Sequence, residues 1–331
     1  MSNVVYATDG QQRRIEPGTH AIRLVNTLDM PHEEWLEWRR KGISGSDIGA
    51  ICGVNDWKSS VEVYLEKTGE ALEAEDNEAM HWGRIHEGSI AQEYVRLTGH
   101  RVQRCNAILQ HPENEWALAN IDRFIFDKER GKGVLECKSA SEYVKKDWDD
   151  GCVPESYQLQ LQWYLYVTGL SWGAFAVLIG GNKFRYFEIE RDEELIEFVL
   201  QICGNFWRNH VQAEVPPLMD GSSAAEKLLK KLYPDADPES ETELPDEADQ
   251  LITEWKQASE ELKAAEIRKN KAENQLKALL GEYEKGTASE HIVSWKPVTR
   301  HTVDSKALKE AHPDIYEKFL KPSTSRRFSI K

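Results

Sequence analysis

Long apolar segments are missing from this sequence of 331 residues. No uninterrupted apolar run approaches the roughly 20 residues that a transmembrane helix needs. The amino-terminal segment, MSNVVYATDGQQRR, also lacks the apolar stretch of a secretory signal. These absences argue against a membrane-embedded or secreted protein, and we expect a soluble protein in the cytoplasm.

Cysteine is also scarce, and the cysteines present are widely spaced. The five cysteines are Cys52, Cys105, Cys137, Cys152 and Cys203. They are too few for a disulfide framework, and no CxxC pair suggests a zinc site. By contrast, hydrophobic residues make up 40% of the chain and 11 residues are tryptophan. This composition excludes a mostly disordered protein and is sufficient for a sizeable core.

Positive charge is in deficit, because 57 acidic residues face 42 basic ones and the net charge is −15. A protein that coats nucleic acid through bulk positive charge is therefore disfavoured. An enzyme that binds nucleic acid in a local groove, and that recruits divalent cations with carboxylates, is compatible with this balance.

An acidic, proline-punctuated stretch separates two parts of the chain. No lysine or arginine occurs from Leu232 to Trp255, and Pro234, Pro238 and Pro245 interrupt the stretch. Such a segment repels itself and buries little apolar surface, which is typical of an exposed linker. We therefore predict a core over residues 1–215, a linker over 216–250, and a third region over 251–331.

The third region combines a heptad pattern with a basic tail. Apolar or small residues recur at heptad spacing from Leu251 to Tyr283, with Lys269 breaking the series. The pattern predicts a long helix that either packs on the core or forms a coiled coil or partner-binding surface, and both alternatives stay open. Residues 291–331 contain nine basic and four acidic residues. The region is interpreted as an interaction module.

The core has the element pattern of an α/β (α+β) protein. The sequence predicts helices over 32–40, 47–52, 60–68, 76–98, 156–168 and 191–210, and strands over 116–126, 133–138, 174–179 and 183–189. Two of the connections are short turns, at 127–132 and at 180–182. This order predicts a mixed sheet flanked by helices.

The most informative residues for chemistry are Asp122, Glu136 and Lys138. Strand side chains alternate between faces, so Glu136 and Lys138 project to one side, and the neighbouring strand can place Asp122 beside them. Clustered charge on a sheet face is costly to bury, but the two carboxylates suit Mg²⁺ and Lys138 suits a water or a developing charge. The alternative, a solvated charged face, stays open for these three residues alone.

Three further features favour a nuclease. Glu87 lies on the preceding predicted helix, where it can serve as a third carboxylate or be an ordinary exposed glutamate. Gln160 lies on a helix whose apolar neighbours face the core, and an amide can hold a water or phosphate. Arg39 precedes a Gly/Ser turn that opens a helix at Ser46, which suggests either a helix N-cap or a receptor for a terminal phosphate.

Several segments together resemble the YqaJ viral recombinase family. They are residues 42–53 (GISGSDIGAICG), 64–69 (YLEKTG), 83–87 (GRIHE), 121–122 (ID), 136–138 (ECK) and 157–162 (YQLQLQ). The family comprises phage-type alkaline exonucleases related to lambda exonuclease, within the PD-(D/E)xK nuclease superfamily. The resemblance covers about residues 30–212 and implies a restriction-endonuclease-like core.

The resemblance also implies roles for individual residues. It makes Asp122 and Glu136 metal ligands with Glu87 nearby, Lys138 the catalytic lysine, and Gln160 the glutamine of the last motif. It also aligns Arg39 and Ser46 with the arginine and serine that hold the 5′-phosphate in lambda exonuclease. The proline that names the superfamily motif is absent before Asp122, where Asn120 and Ile121 stand.

By the same resemblance, we expect a Mg²⁺-dependent 5′-to-3′ exonuclease, with Mn²⁺ as a substitute, that degrades linear double-stranded DNA by two-metal hydrolysis. The implied setting is homologous recombination by single-strand annealing in the cytoplasm of a bacterial or phage-infected cell. The implied partners are double-stranded DNA ends, a single-strand annealing protein and further copies of the chain in a trimeric ring.

The residues are also compatible with two other functions. The same core suits a structure-selective or restriction-like endonuclease, which would cut circular as well as linear DNA. A non-catalytic DNA-binding scaffold is the second alternative, and the set of Asp122, Glu136 and Lys138 argues against it.

Overall fold

The computed structural model describes residues 4–6, 12–71, 77–148, 151–237, 240–321 and 326–330. Two compact units make up the chain, Met1–Leu232 and Tyr233–Lys331. Among the described residues, no helix combines the length and apolarity that crossing a membrane requires.

The first unit mixes helices and strands throughout its length. Its strands are β1 (Val4–Tyr6), β2 (Gln12–Ile15), β3 (Ile22–Asn26), β4 (Arg101–Arg104), β5 (Ala107–Gln110), β6 (Leu118–Ala119), β7 (Arg123–Asp127), β8 (Gly131–Ala140), β9 (Trp172–Ile179) and β10 (Lys183–Glu190). Its α-helices are α1 (His32–Arg40), α2 (Gly45–Ile51), α3 (Ser60–Thr68), α4 (Glu78–Thr98), α5 (Glu155–Thr168), α6 (Glu193–Phe206) and α7 (Ser223–Leu232). A 3₁₀ helix covers Glu142–Trp148, and one π-helical turn, Trp207–Val211, extends α6.

The strands form two sheets. The first has the order β1-β2-β3-β5-β6 and the second the order β10-β9-β8-β7-β4. In the second sheet β8 and β9 are parallel, whereas the other neighbours are antiparallel. The 3₁₀ helix and α5 make the crossover between the two parallel strands, and this arrangement brings α5 across the sheet.

Helices cover both faces of the second sheet. On one face Tyr94 of α4 packs in a buried cluster with Leu135 and Trp172. On the other face Leu161 of α5 lies in the main core with Phe175. The apolar side chains alternate between these two clusters along the central strands, as they must when both faces are covered. The predicted α/β class with a mixed sheet flanked by helices is confirmed.

The predicted strand over 116–126 is split. The structure contains β6 and β7 instead, with the polar residues Asn120 and Asp122 between them. Asn120 accepts a hydrogen bond from Ser44, and Asp122 accepts one from the backbone of Cys137, so both side chains bond across the fold. The break lets the chain leave the first sheet and enter the second. The strands before residue 27 and the strands β4 and β5 had not been predicted.

The first unit also extends beyond the predicted boundary at residue 215, and α7 occupies part of the predicted linker. Ala224, Ala225 and Leu228 of α7 are buried, and the Ser223 hydroxyl donates to the carbonyl of Asp56 at 3.3 Å. The reason is the apolar face that these three residues form, which had been grouped with the acidic stretch that follows it.

The second unit contains one long helix and several short elements. They are α8 (Glu247–Leu280), β11 (Lys285–Ala288), β12 (His291–Ser294), α9 (Ser305–Ala311) and α10 (Pro313–Phe319). The heptad region is thus helical, and α8 begins inside the predicted linker. Strands β11 and β12 pair as an antiparallel hairpin within the segment after α8.

Candidate active site

Asp122, Glu136 and Lys138 lie together in the second sheet. Asp122 directly precedes β7, and the other two residues lie on β8, which pairs with β7. The backbone N–H of Cys137 donates to Asp122 Oδ2 at 2.9 Å, and that of Asp122 reaches Glu136 Oε1 at 3.4 Å. Each carboxylate is therefore oriented by the backbone of the strand that carries the other.

A hydrogen-bond network on α5 holds the second carboxylate and the lysine. Lys138 Nζ donates to Glu136 Oε2 at 3.2 Å and to Gln160 Oε1 at 3.1 Å. Gln160 Nε2 donates to Glu136 Oε2 and to the Tyr164 hydroxyl, both at 3.1 Å. Glu136 and Gln160 are buried, whereas 19% of the Lys138 side chain is exposed. The side-chain amide of Gln160 thus links Glu136 and Lys138 to helix α5.

The electrostatics of this group show an excess of negative charge. Burial, and next the charge of Asp122, raises the pKa of Glu136 to about 8. Burial also raises the pKa of Asp122, and the opposing charge of Lys138 does not cancel the effect. Burial alone would lower the pKa of Lys138, but the charges of Glu136 and Asp122 outweigh it and raise that pKa. Two carboxylates therefore face one ammonium group.

Glu87 lies near this group but has other partners. It is on α4, and its Oε1 accepts from Arg123 at 2.5 Å and from Arg104 at 3.1 Å. Its charge is one of the influences that raise the pKa of Asp122. Over the described residues, no three or more His, Cys, Asp or Glu side chains are grouped so that they could hold a metal ion. The structure therefore pairs Asp122 with Glu136. The carboxylate of Glu87 bonds two arginines instead and is not placed beside that pair as a third ligand.

The donor set of Asp122 and Glu136 fits a divalent cation. Both are hard oxygen donors, and because burial raises the pKa of both groups, a bound cation would stabilise their charged forms. Mg²⁺ binds through one or two carboxylates and keeps several waters, so it does not need a complete cage of side chains. The two residues would hold such an ion between them.

A second charged group surrounds the start of α2. Arg39 donates through Nη2 to the Ser46 hydroxyl at 2.7 Å and to Asp47 Oδ1 at 3.0 Å. The expectation that Ser46 is the N-cap of the helix is wrong, since the cap is Ser44. Ser44 forms a capping box with Asp47, whose Oδ2 accepts from the Ser44 backbone N–H at 3.0 Å. Ser46 is consequently exposed one residue inside the helix and free of the capping role.

Asp47 is the centre of this second group, and the sequence analysis had not identified it. It is fully buried, and Lys67 Nζ lies 2.7 Å from Oδ2 while Lys58 Nζ lies 3.3 Å from Oδ1. Burial alone would raise its pKa, but the charges of Lys67, Lys58 and Arg39 hold that pKa well below its ordinary value. The signal for this role was the spacing of Ser44 and Asp47, which is that of a capping box.

The two groups are neighbours in the fold. Ser44 donates to Asn120, and Asn120 lies two residues before Asp122. The ring of Tyr164, which bonds Gln160, packs so closely on Gly45 that a Cβ there would overlap it. Glycine at this position is therefore a packing requirement. The carboxylate pair and the Arg39–Ser46 pair consequently belong to one continuous region.

A cleft of about 250 Å³ opens beside this region. Trp35, Glu87, Arg104, Asn120 and Asp122 are among the residues that line it. The Arg39 guanidinium lies 4.8 Å from the centre of the Trp35 ring, so the cleft reaches the second group. Apart from the predicted residues, the sequence analysis had missed Arg104, Arg123 and Tyr164 here, and nothing in their spacing distinguished them.

Comparison with known proteins identifies relatives of the whole chain. The YqaJ-like viral recombinase domain matches residues 34–171. The uncharacterized protein YqaJ of Bacillus subtilis (strain 168) is 40% identical over 311 residues, which span 93% of this chain and 97% of that protein. The match extends well past the recombinase domain on its carboxyl-terminal side.

Similar solved structures include two of LHK-Exo, an alkaline exonuclease from Laribacter hongkongensis. The structure of LHK-Exo in complex with dAMP has a TM-score of 0.47 and 22% identity, and the alignment covers 60% of this chain and 97% of that one. A second LHK-Exo structure has a TM-score of 0.46 and 20% identity, with 61% and 100% of the two chains covered.

Proposed function

This chain belongs to the YqaJ-like viral recombinase family, and on that premise we propose that it is a metal-dependent nuclease acting on double-stranded DNA. The single observation that supports the activity is the buried pair of Asp122 and Glu136 beside Lys138. A purely structural cluster would be expected to balance its charges, and this one has an excess of carboxylate.

A divalent cation held by Asp122 and Glu136 would polarise a phosphate oxygen and lower the pKa of a water molecule. Before a metal ion binds, the charges of Glu136 and Asp122 raise the pKa of Lys138 and hold its proton at Nζ. A charged ammonium at this place can orient a water or stabilise charge that develops on the phosphate. Gln160 is a positioning residue, since it bonds both Lys138 and Glu136.

The end of the DNA strand is proposed to lie at Arg39 and Ser46. Arg39 presents a guanidinium to the Ser46 hydroxyl near the amino terminus of α2, and Ser46 is exposed. A guanidinium and a hydroxyl are suitable donors for a terminal phosphate. Together with the family membership, this placement supports degradation of linear DNA from the 5′ end with Mg²⁺, whereas hydrolysis by two metal ions stays a prediction from the resemblance. The trimeric ring and the annealing-protein partner stay predictions from the resemblance.

The test is digestion of linear duplexes that carry 5′-phosphate or 5′-hydroxyl ends, with Mg²⁺, with Mn²⁺ and with EDTA. We expect cleavage in either metal, none in EDTA, and faster release of nucleotides from the phosphorylated ends. A covalently closed circular duplex is the matched substrate. Cutting of the circle at the rate of the linear duplex would favour an endonuclease, and binding without cleavage of either would favour a scaffold.

A further inference from the structure

Arg104 and Arg123 form an unusual like-charge pair in the second sheet. They are directly opposite each other in the antiparallel pairing of β4 with β7. Side chains at directly opposed positions lie on the same face, and like charges there repel. A pair of this kind requires an anion close by.

Glu87 supplies that anion, but it compensates for one of the two positive charges. Both arginines donate to the same oxygen, Oε1, at 2.5 Å from Arg123 and 3.1 Å from Arg104. The three side chains together therefore have a net charge of about +1 at neutral pH. The surplus positive charge lies in a protein whose net charge is −15.

The two arginines differ in exposure. The Arg123 side chain is 9% exposed, while that of Arg104 is 57% exposed and that of Glu87 is 23% exposed. Exposed ion pairs contribute little to stability because both partners are well solvated. The bond from Arg104 to Glu87 is thus easily exchanged, whereas Arg123 keeps Glu87 paired in the interior.

Arg104 also faces the place where a substrate would enter. It lines the same cleft as Asp122 and Glu87, with Trp35 among the other lining residues. A phosphate in this cleft would meet an exposed guanidinium, and a guanidinium can bind phosphate through two parallel hydrogen bonds.

We propose that Arg104 is a phosphate-binding residue of this cleft, which exchanges Glu87 for a backbone phosphate when a DNA strand enters. The inference rests on the proposed nuclease function and adds to it a contact that no motif of the sequence predicted. Arg123 remains on Glu87 throughout and acts as a positioning residue for it.

The test is binding of a short duplex in EDTA, measured by fluorescence anisotropy over a series of salt concentrations. Arg104→Gln should weaken binding roughly 5- to 20-fold at low salt and reduce the slope of log K against log salt by about 0.9, as for one lost phosphate contact. Arg104→Lys should keep the slope and lose less affinity, since lysine retains the positive charge but cannot form the two parallel hydrogen bonds of a guanidinium.

Arg96→Gln is the matched control. Arg96 lies on α4, is 65% exposed and pairs with Glu93, so its substitution removes the same charge from a comparable surface position. We expect its affinity and its slope to equal those of the wild type. Equal thermal unfolding of the variants shows that the exposed substitutions leave the fold intact.

A double-mutant cycle tests the exchange itself. Glu87→Gln should tighten metal-free binding several-fold, because Arg104 is released and one negative charge is removed. Most of that gain should disappear in Glu87→Gln combined with Arg104→Gln. A gain that is undiminished in the Arg104→Gln background would overturn the exchange.

The outcomes separate this inference from the proposed function. If the wild type binds and cleaves DNA but Arg104→Gln binds equally well with an unchanged slope, the inference fails alone. If the wild type binds in EDTA but never cleaves with metal, the nuclease proposal fails, and the Arg104 comparison still decides the phosphate contact. No measurable binding by the wild type in EDTA overturns the inference even where cleavage is seen.

Discussion

The first unit contains two buried carboxylate groups that are neighbours but differ in how their charge is compensated. Asp47 has three cations around it, namely Arg39, Lys58 and Lys67. Asp122 and Glu136 share one cation, Lys138. The pKa of Asp47 is accordingly held low, whereas the pKa values of the other two are raised.

This difference in charge compensation indicates that the two groups have different roles. A carboxylate surrounded by cations needs nothing more from solution, and its surplus positive charge favours an anion at Ser46. Two carboxylates with one ammonium need a further cation to be stable as charged groups. One group is thus suited to receive a phosphate and the other to receive a metal ion.

The largest expected effect is on catalysis. Lys138→Ala and Glu136→Gln should each reduce turnover on linear duplex DNA at least ~10⁴-fold, or about 5.5 kcal/mol, because the proposal places each group at the reacting phosphate. The measurement is the initial rate of nucleotide release under saturating Mg²⁺. Lys183→Ala, an exposed lysine of β10 paired with Glu142, is the control and should keep full activity. A variant of the first pair that kept more than about a tenth of the wild-type rate, a loss below ~1.4 kcal/mol, would contradict its assigned role.

The next effect is on stability, and its sign should differ between the two groups. Asp47→Asn should destabilise the protein by about 3–5 kcal/mol, since three cations lose their buried carboxylate. Glu136→Gln in EDTA should change stability little or increase it, because burial and the charge of Asp122 already raise the pKa of Glu136 to about 8 and penalise its charged form. Urea unfolding in EDTA measures the unfolding free energy of both variants. An equal loss of stability in the two would contradict the difference in charge compensation between the two carboxylate groups.

The pH dependence of the unfolding free energy of Asp47→Asn tests the role of the Asp47 charge directly. The native pKa of Asp47 is depressed, so its contribution is present above its unfolded pKa of about 3.9 and is lost as the pH falls towards the native value. The difference in unfolding free energy between wild type and Asp47→Asn should therefore shrink below about pH 4. A constant difference down to that range would show that the carboxylate charge is not the cause.

A smaller effect is expected on the choice of DNA ends. Ser46→Ala and Arg39→Ala should reduce the preference for 5′-phosphorylated over 5′-hydroxyl duplexes by about 1–3 kcal/mol in apparent transition-state free energy. Arg40→Ala is the control, because Arg40 is exposed and is adjacent to Arg39 in the sequence. Ser46→Ala is the cleaner variant, because Arg39 also pairs with Asp47. An unchanged preference in both variants would leave Arg39 with its role as a partner of Asp47.

The smallest effect is metal-linked stabilisation. Mg²⁺ at roughly ten times its dissociation constant should raise the unfolding free energy by about 1.4 kcal/mol. The increase should be retained in Ser46→Ala and absent in Asp122→Asn and Glu136→Gln. Thermal unfolding with and without EDTA measures it. A full increase in Asp122→Asn would exclude this residue as a ligand.

The local pattern of the sequence was sufficient to predict much of the fold and part of the candidate site. Alternation along β8 placed Glu136 and Lys138 on one face, and the structure has them there. The helix around Gln160 was also predicted from the sequence, and the structure buries Gln160 between Leu159 and Leu161 as the apolar neighbours had suggested. These inferences depend on residues that are close in sequence.

Other features depend on partners that are distant in sequence. The position of Asp122 was expected on a continuous strand, but the chain breaks there to pass between two sheets. Glu87 was expected beside the carboxylates, but it bonds arginines from β4 and β7. A pattern within one element cannot show which strand of another part of the chain comes to lie opposite it.

The sequence by itself determined the α/β class, the elements around the site and the acidic residues available for chemistry, because periodicity and local capping depend on neighbouring residues. Tertiary structure alone decided which charges compensate each other. Asp47 meets Lys58 and Lys67, Glu87 meets Arg104 and Arg123, and Asp122 with Glu136 meets a single lysine. The physical reason is that burial and charge act through distances in space, which the packing of separate elements sets.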